Sequence, residues 1–421
     1  MIEAIVVGAG QAGLAASYHL TRRGIEHVVL ERGRVGETWR SQRWTSFVLN
    51  TPRSLSLLPG EASDTGTAHE FQAVEPFVTR LQAYADRLEL PIRTGTSVTR
   101  VVARPGWFEA SIEGDAGEEQ LRARSIVVAS GGQRVPRIPA IARDLPAGIR
   151  QLSAADYRDP GGLPPGAVLV VGSGQTGVQV VEGLLAAGRT VYLCTSAVGR
   201  FPRRYRGRDT LDLMSEAGLF DIPIEQLPDP NVRFLATALV SGVGSLGHTV
   251  SLQGLAAQGA ILLGRPAAVN GDLVDLEPTV GANVALGDRV SAETKVQIDN
   301  ALRARGISLP PLDPDDPADR PHPDPSSIPS PATLDLDAAG VTSVIWATGF
   351  RGDFGYLPGS ILDAGGQPVH VQGATALPGI YCLGLPWMMR RRSGLISGVD
   401  GDGAFVVERL AEHLAASATP G

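Results

Sequence analysis

The run Ile2–Val7 is almost wholly apolar and rich in β-branched residues, the pattern of a strand buried on both faces. Glycines follow at positions 8, 10 and 13, then an alanine-rich stretch of helical period from Leu14 to Arg23 that stops at Gly24. A second apolar run, HVVLE, ends at Glu31. Strand, glycine turn, helix and strand make a βαβ unit. The pattern then recurs: AVLVV (167–171) is the strand, Gly172, Gly174 and Gly177 the turn, VQVVEGLLAAG the helix and RTVYLCT the second strand. The offset is 164 residues, and on it Glu31 falls opposite Thr195.

Between the two units, SVTRVVARPG and WFEASIEG alternate as a hairpin around Pro-Gly, and SIVVASGG is a buried strand running into paired glycines. Residues 310–331 hold nine prolines and five aspartates and predict an extended loop or linker. VTSVIWATGF is a further buried strand, and a loop after GIYCLGLPW feeds a C-terminal amphipathic helix. These elements predict an α/β chain of two Rossmann-like, three-layer dinucleotide-binding domains. Residues 1–160 with 333–421 form a discontinuous first domain. Residues 161–309, with an insertion at 201–265, form the second, and 310–332 form the Pro-rich linker.

Composition narrows the class without changing this picture. With 421 residues, 43% apolar and a net charge of -7, the chain reads as a soluble globular protein with no global basic field for nucleic acid. No apolar run reaches the ~18–20 residues of a membrane span, and the strand at Ile2–Val7 leaves no room for a cleavable leader. Cys194 and Cys382 stand in no metal or redox spacing, so a cytoplasmic protein with two buried thiols and no metal site is expected.

The glycine turns carry the chemistry. In such a turn Gly8 permits the sharp bend, Gly10 lets backbone approach a pyrophosphate and Gly13 lets helix pack on strand; Gln11 and Ala12 complete it. Glu31 is placed to accept from a ribose diol. In the second copy (Gly172, Ser173, Gly174, Gln175, Thr176, Gly177) the acid is replaced by Thr195 and Ser196. Arg200, Arg203 and Arg204 lie just beyond. Hydroxyls and arginines suit a 2′-phosphate that a carboxylate would repel, so the second nucleotide reads as NADP(H).

The paired turns, VGETWR (35–40), RRYRGRD (203–209), WATGF (346–350), GIYCLGLPW (379–387) and SGLISGVDGDGAF (393–405) resemble the class B-type flavin-containing monooxygenases of the two-dinucleotide type, in a CzcO-like bacterial branch. The resemblance implies FAD in the first unit, NADPH in the second, and a C4a-(hydro)peroxyflavin that oxygenates a small organic substrate with O2. N- or S-oxidation, hydroxylation and Baeyer–Villiger chemistry all stay open, as does a homodimer. It implies a flavin environment around Arg32, Thr38, Trp39, Arg40, Thr51, Ser130, Gly131, Gly384 and Leu395, with Asn50 near the active-site mouth. Arg390–Arg392 stay open between cofactor phosphate, acidic substrate and plain surface. The family's FxGxxxHxxxY segment corresponds to GIRQLSAADY: Tyr157 aligns, but Ser153 replaces the histidine. Asn50, Ser153 and Tyr157 are thus the candidate catalytic residues. An NAD(P)H-dependent flavin oxidase or reductase without oxygen insertion, and a non-enzymatic redox sensor, remain the alternatives. A disulfide reductase would need a cysteine pair that is missing.

Overall fold

The computed structural model of the chain describes residues 1–115, 117–227, 229, 237–312 and 328–417. Two sheets organise it, the first mixed around a parallel centre and the second parallel. In the first, the Ile2–Val7 strand lies between His27–Leu30 and Gly117–Val128, with Ile5 opposite Val28 on one side and Ile126 on the other. Ile380–Cys382 adds a further parallel strand beside Gly117–Val128. The helix Gln11–Arg22 and the C-terminal helix Val399–Ala416 pack together on this sheet. The Thr96–Arg104 and Trp107–Gly114 hairpin continues from its Gly117–Val128 strand. Leu14 and Leu20 are fully buried beneath the first helix, where truncation to alanine would cost about 2–5 kcal/mol each.

The second sheet is wholly parallel, in the order Ile261–Leu263, Val191–Cys194, Ala167–Val171, Val341–Trp346, Arg150–Ser153. This corrects the expected domain limits. The sequence limits place Arg150–Ser153 and Val341–Trp346 in the first domain, yet both pair in the second sheet. The reason is a third element of the internal repeat. SIVVAS (125–130) flanks the first turn, and SVIWAT (343–348) flanks the second. A Cβ on Gly8 would lie 2.7 Å from the Ala129 carbonyl oxygen, and one on Gly172 would lie 2.6 Å from that of Ala347. Each turn therefore rests on the end of its own neighbouring strand, and the chain must return late to supply the second one.

Thr333–Asp335 also joins the second unit, pairing antiparallel with Leu273–Leu276. Of the expected Pro-rich linker, residues 313–327 lie outside the described residues. Among the described residues no helix is long and apolar enough to cross a membrane.

Candidate functional site

The two glycine turns have nearly the same backbone. Gly8 and Gly172 both sit at φ +104°, and a Cβ on Gly13 or Gly177 would meet the carbonyl oxygen of Gly8 or Gly172 at 1.8 or 1.9 Å. These four glycines are structural necessities. Gly10 and Gly174 are different: a Cβ at either would meet nothing within 4 Å. Their open faces stand where the helices Gln11–Arg22 and Gln175–Ala186 begin, and neither helix has a side-chain cap. Uncapped N–H groups at the positive end of a helix beside open glycine backbone are what an anionic phosphate requires. Both sites fit the pyrophosphate of a dinucleotide.

The strand ends differ. Glu31 is buried, and its carboxylate accepts from the Ala9 amide at 2.8 Å and the Gly33 amide at 3.0 Å. Burial pushes its pKa up, against the pull of those two amides. Glu31 thus closes the first loop as well as facing the cavity, a role its position alone did not reveal. In the second copy two serines close the loop. The Ser173 amide donates to Ser196 Oγ at 3.1 Å, and the Ser196 amide donates to Ser173 Oγ at 2.8 Å. The closure is the same and the acid is gone.

The arginines expected beside that corner are placed elsewhere. Arg203 is 1% exposed, ion-paired with Asp209, bonded to the Asn50 carbonyl at 2.7 Å and stacked 4.3 Å from the Phe71 ring. Arg200 is buried against Asp288. Arg203 ties the 201–265 segment to the Asn50 loop, and both guanidinium groups are buried against carboxylates rather than presented to a 2′-phosphate. Arg204 is partly exposed and bonded to the Gly207 carbonyl of its own hairpin. Thr195 is also turned inward, donating to the Leu263 carbonyl and accepting from Asn283. Of the expected corner, Ser196 and the missing carboxylate are what face the loop.

A single cavity of about 1660 Å³ runs between the units. Gly8, Gly10, Gln11, Ala12, Glu31, Arg32, Thr38, Trp39, Asn50, Thr51, Ser130, Gly131, Gly384 and Leu395 line it from the first unit, and Gln175 and Thr176 from the second. It exceeds the ~300–1,000 Å³ of an ordinary ligand pocket, as room for a dinucleotide and a second ligand demands. Side chains fix its walls. Gln11 accepts from the Trp39 indole at 3.0 Å, and Gln175 grips both backbone groups of Val240 at 2.7 and 3.0 Å. Gln179 donates to the Asn50 side chain at 3.1 Å, and Ser130 bonds Tyr356 at 2.9 Å. Gly384 is needed because a Cβ there would press to 2.6 Å from that of Ala12.

Ser153 and Tyr157 are not in this cavity. Ser153 ends a strand of the second sheet, its hydroxyl donates to Asp156 at 2.6 Å, and Tyr157 is buried near Trp44. Both are corrected from catalytic candidates to structural residues of that turn, which leaves Asn50.

Three further wall residues stand out; the sequence reading leaves Arg391 open within Arg390–Arg392 and does not single out Arg43 or Trp387. Arg43 lies 5.0 Å over Trp39 and 5.4 Å over Phe47, bonded to Gln133, and burial lowers its pKa to about 10. Trp387 holds φ +54°, a left-handed conformation that a bulky residue adopts at a cost. Arg391 is the third. Nothing local in the sequence distinguishes Arg43 or Arg391 from surface arginines. Cys194 and Cys382 are buried free thiols whose pKa values burial pushes up to about 12. Among the described residues no group of His, Cys, Asp and Glu could hold a metal ion.

The model of the family "Pyridine nucleotide-disulphide oxidoreductase" matches residues 5–212. The chain is 29% identical to the "Uncharacterized oxidoreductase CzcO-like" of Geobacillus kaustophilus (strain HTA426), over 98% of this chain and 99% of that one. Among solved structures it resembles a flavin-containing monooxygenase from Stenotrophomonas maltophilia, with TM-score 0.65, 20% identity and 98% of each chain covered. It also resembles an ornithine N-hydroxylase from Kutzneria sp. 744, solved with reduced FAD, NADP⁺ and L-ornithine, with TM-score 0.61, 16% identity and 98% and 99% covered.

Proposed function

We infer that this chain is a flavin-containing monooxygenase of the class B type, and that it oxygenates a small organic substrate using FAD, NADPH and O2. One observation carries the reading at the level of the site. Two turns of the same backbone flank one cavity, which Gly8, Gly10 and Glu31 line from the first and Gln175 and Thr176 from the second; one turn is closed by an acid and the other by two serines. The acid suits a ribose diol and the serines admit a 2′-phosphate, so the two nucleotides are different. FAD, when bound, supplies hydride acceptance from NADPH and the reduction of O2.

The chain's own contribution is binding, orientation and exclusion of water. Gly10 and the uncapped helix start at Gln11 would hold the FAD pyrophosphate, with Glu31 at the ribose. Gly174, Gln175, Thr176 and Ser196 would hold NADPH. Trp39, fixed by Gln11 and flanked by Phe47 and Phe77, gives the first unit a dry aromatic wall. Asn50, held by Gln179, stands where the units meet. No acid–base pair is needed, because the cofactor carries the oxidising chemistry. Two unpaired buried thiols support a cytoplasmic location as part of this reading.

Anaerobic mixing of the FAD-loaded protein with NADPH or NADH tests the assignment of the two sites. The bound flavin should bleach with NADPH about tenfold faster or more, since losing the 2′-phosphate contacts costs about 1.4 kcal/mol or more. Equal rates, or no bleaching, would contradict it.

A further inference from the structure

We propose that Arg391 is the anion receptor of the substrate lobe, and that the natural substrate is an organic carboxylate with an apolar body. This rests on the monooxygenase reading only in taking the bound anion to be the substrate.

The argument begins with three consecutive arginines whose surroundings differ. Residues 389–392 run against residues 220–224: Ile224 donates to the Met389 carbonyl, Arg391 to that of Ile222 and Arg392 to that of Phe220. Arg390 is bridged to Pro223 and the chain turns immediately after it, the Ser393 amide donating to the Arg390 carbonyl at 3.0 Å, so the three side chains leave in different directions. Arg390 and Arg392 both reach Asp221, at 3.7 and 2.7 Å, and Arg390 also approaches Asp402 at 3.6 Å. Arg391 points the other way, into the cavity.

There it has no carboxylate partner among the described residues. Its guanidinium lies 5.8 Å from the centre of the Phe201 ring. The nearby walls are Phe201, Leu211, Leu219, Phe220 and Ile222, backed by the apolar cluster that includes Met214 and Leu395. Five acids line the cavity, Glu31, Glu37, Asp229, Glu293 and Asp353; Glu31 accepts from the Ala9 and Gly33 amides, and Glu37 pairs with Arg34. Glu293 is largely exposed and lies 4.0 Å from Arg289, and Asp229 already takes part in an interaction of its own. Desolvation lowers the Arg391 pKa, with no compensating charge beside it.

A desolvated, unpartnered cation is costly to keep in an apolar lobe unless a ligand supplies the counter-charge. A guanidinium offers a planar fork that matches a carboxylate in two parallel hydrogen bonds. The phosphates of the cofactors have their own cradles at the two glycine turns. An aryl or alkyl body would bury against these apolar walls.

The test is isothermal titration of the FAD-loaded, oxidised protein with a matched pair, 4-phenylbutanoate and 4-phenylbutanamide, and separately with 2′,5′-ADP. The proposal expects the carboxylate to bind about tenfold tighter or more than the amide, a gap of about 1.4 kcal/mol. Arg391→Gln should erase the gap and Arg391→Lys keep part of it, with the affinity for 2′,5′-ADP within about twofold of the original. FAD content and melting temperature establish that both variants are folded. Equal binding of the two probes to the unaltered protein, or a gap that survives Arg391→Gln, would overturn the proposal. So would a loss confined to 2′,5′-ADP, which would assign Arg391 to the coenzyme. No turnover is involved, so failure here is distinct from failure of NADPH-dependent oxygenation.

Discussion

Ser173 and Ser196 each hold the other's backbone amide, at 3.1 and 2.8 Å, and so do for the second glycine loop what Glu31 does for the first. The substitution of a hydroxyl pair for a carboxylate keeps the loop closed and changes the charge of the corner. On the proposed reading, coenzyme choice rests on an absence as much as on a contact.

Ser196→Glu restores a carboxylate to that corner. The value of kcat/KM for NADPH should fall about tenfold or more through repulsion of the 2′-phosphate, while that for NADH changes little. Steady-state kinetics with both coenzymes measure the ratio, and a proportional loss for both would show that the corner does not read the phosphate.

The glycines separate into two classes by the same measurement of stability and binding. Gly174→Ala places a methyl in open space at an ordinary φ of −68°, so the melting temperature should hold while KM for NADPH rises about tenfold or more. Gly177→Ala drives a Cβ to 1.9 Å from the Gly172 carbonyl and should cost about 3 kcal/mol or more of folding stability. Equal destabilisation by the two variants would refute the distinction.

Arg203 is a strut between the 201–265 segment and the Asn50 loop rather than a phosphate ligand. Arg203→Ala leaves Asp209 buried and unpaired and should destabilise the protein by about 3–5 kcal/mol in urea titrations. A stable variant with weakened NADPH binding alone would reverse this assignment.

His248 pairs with Glu182, and that hydrogen bond holds the imidazolium above its ordinary value of 6.5. A raised folded pKa means that the folded protein binds the proton more tightly. The contribution is then complete below 6.5 and is lost as pH rises through the higher folded value. Melting curves across this window should show the unaltered protein losing stability relative to His248→Gln as pH increases. Parallel curves would show that the pair is not coupled to folding.

What could be read in advance was local. Gly8, Gly13 and Glu31 reveal themselves because turn geometry and strand length lie within one short segment. The fate of Arg203 depended on Asp209 and on Asn50, 153 residues away, and a run of arginines carries no mark of such partners. Ser153 misled in the same way: its alignment with a family histidine suggested chemistry, whereas its strand pairing with Trp346 puts it outside the cavity. The pairing of Val341–Trp346 in the second sheet was hidden because strand order is set by non-local contacts, although its likeness to residues 125–130 was present in the letters. Arg391 became distinct from its neighbours only once residues 220–224 were seen to run beside it.

The most direct test of the central claim is turnover under heavy-isotope dioxygen. The FAD-loaded protein, NADPH and a panel of thioethers, amines, ketones and carboxylates would be incubated together, and products analysed by mass spectrometry alongside hydrogen peroxide. The account predicts that at least one compound accelerates NADPH consumption, gains one heavy oxygen atom per NADPH oxidised and suppresses peroxide. Recovery of all consumed oxygen as peroxide, whatever compound is present, would contradict it.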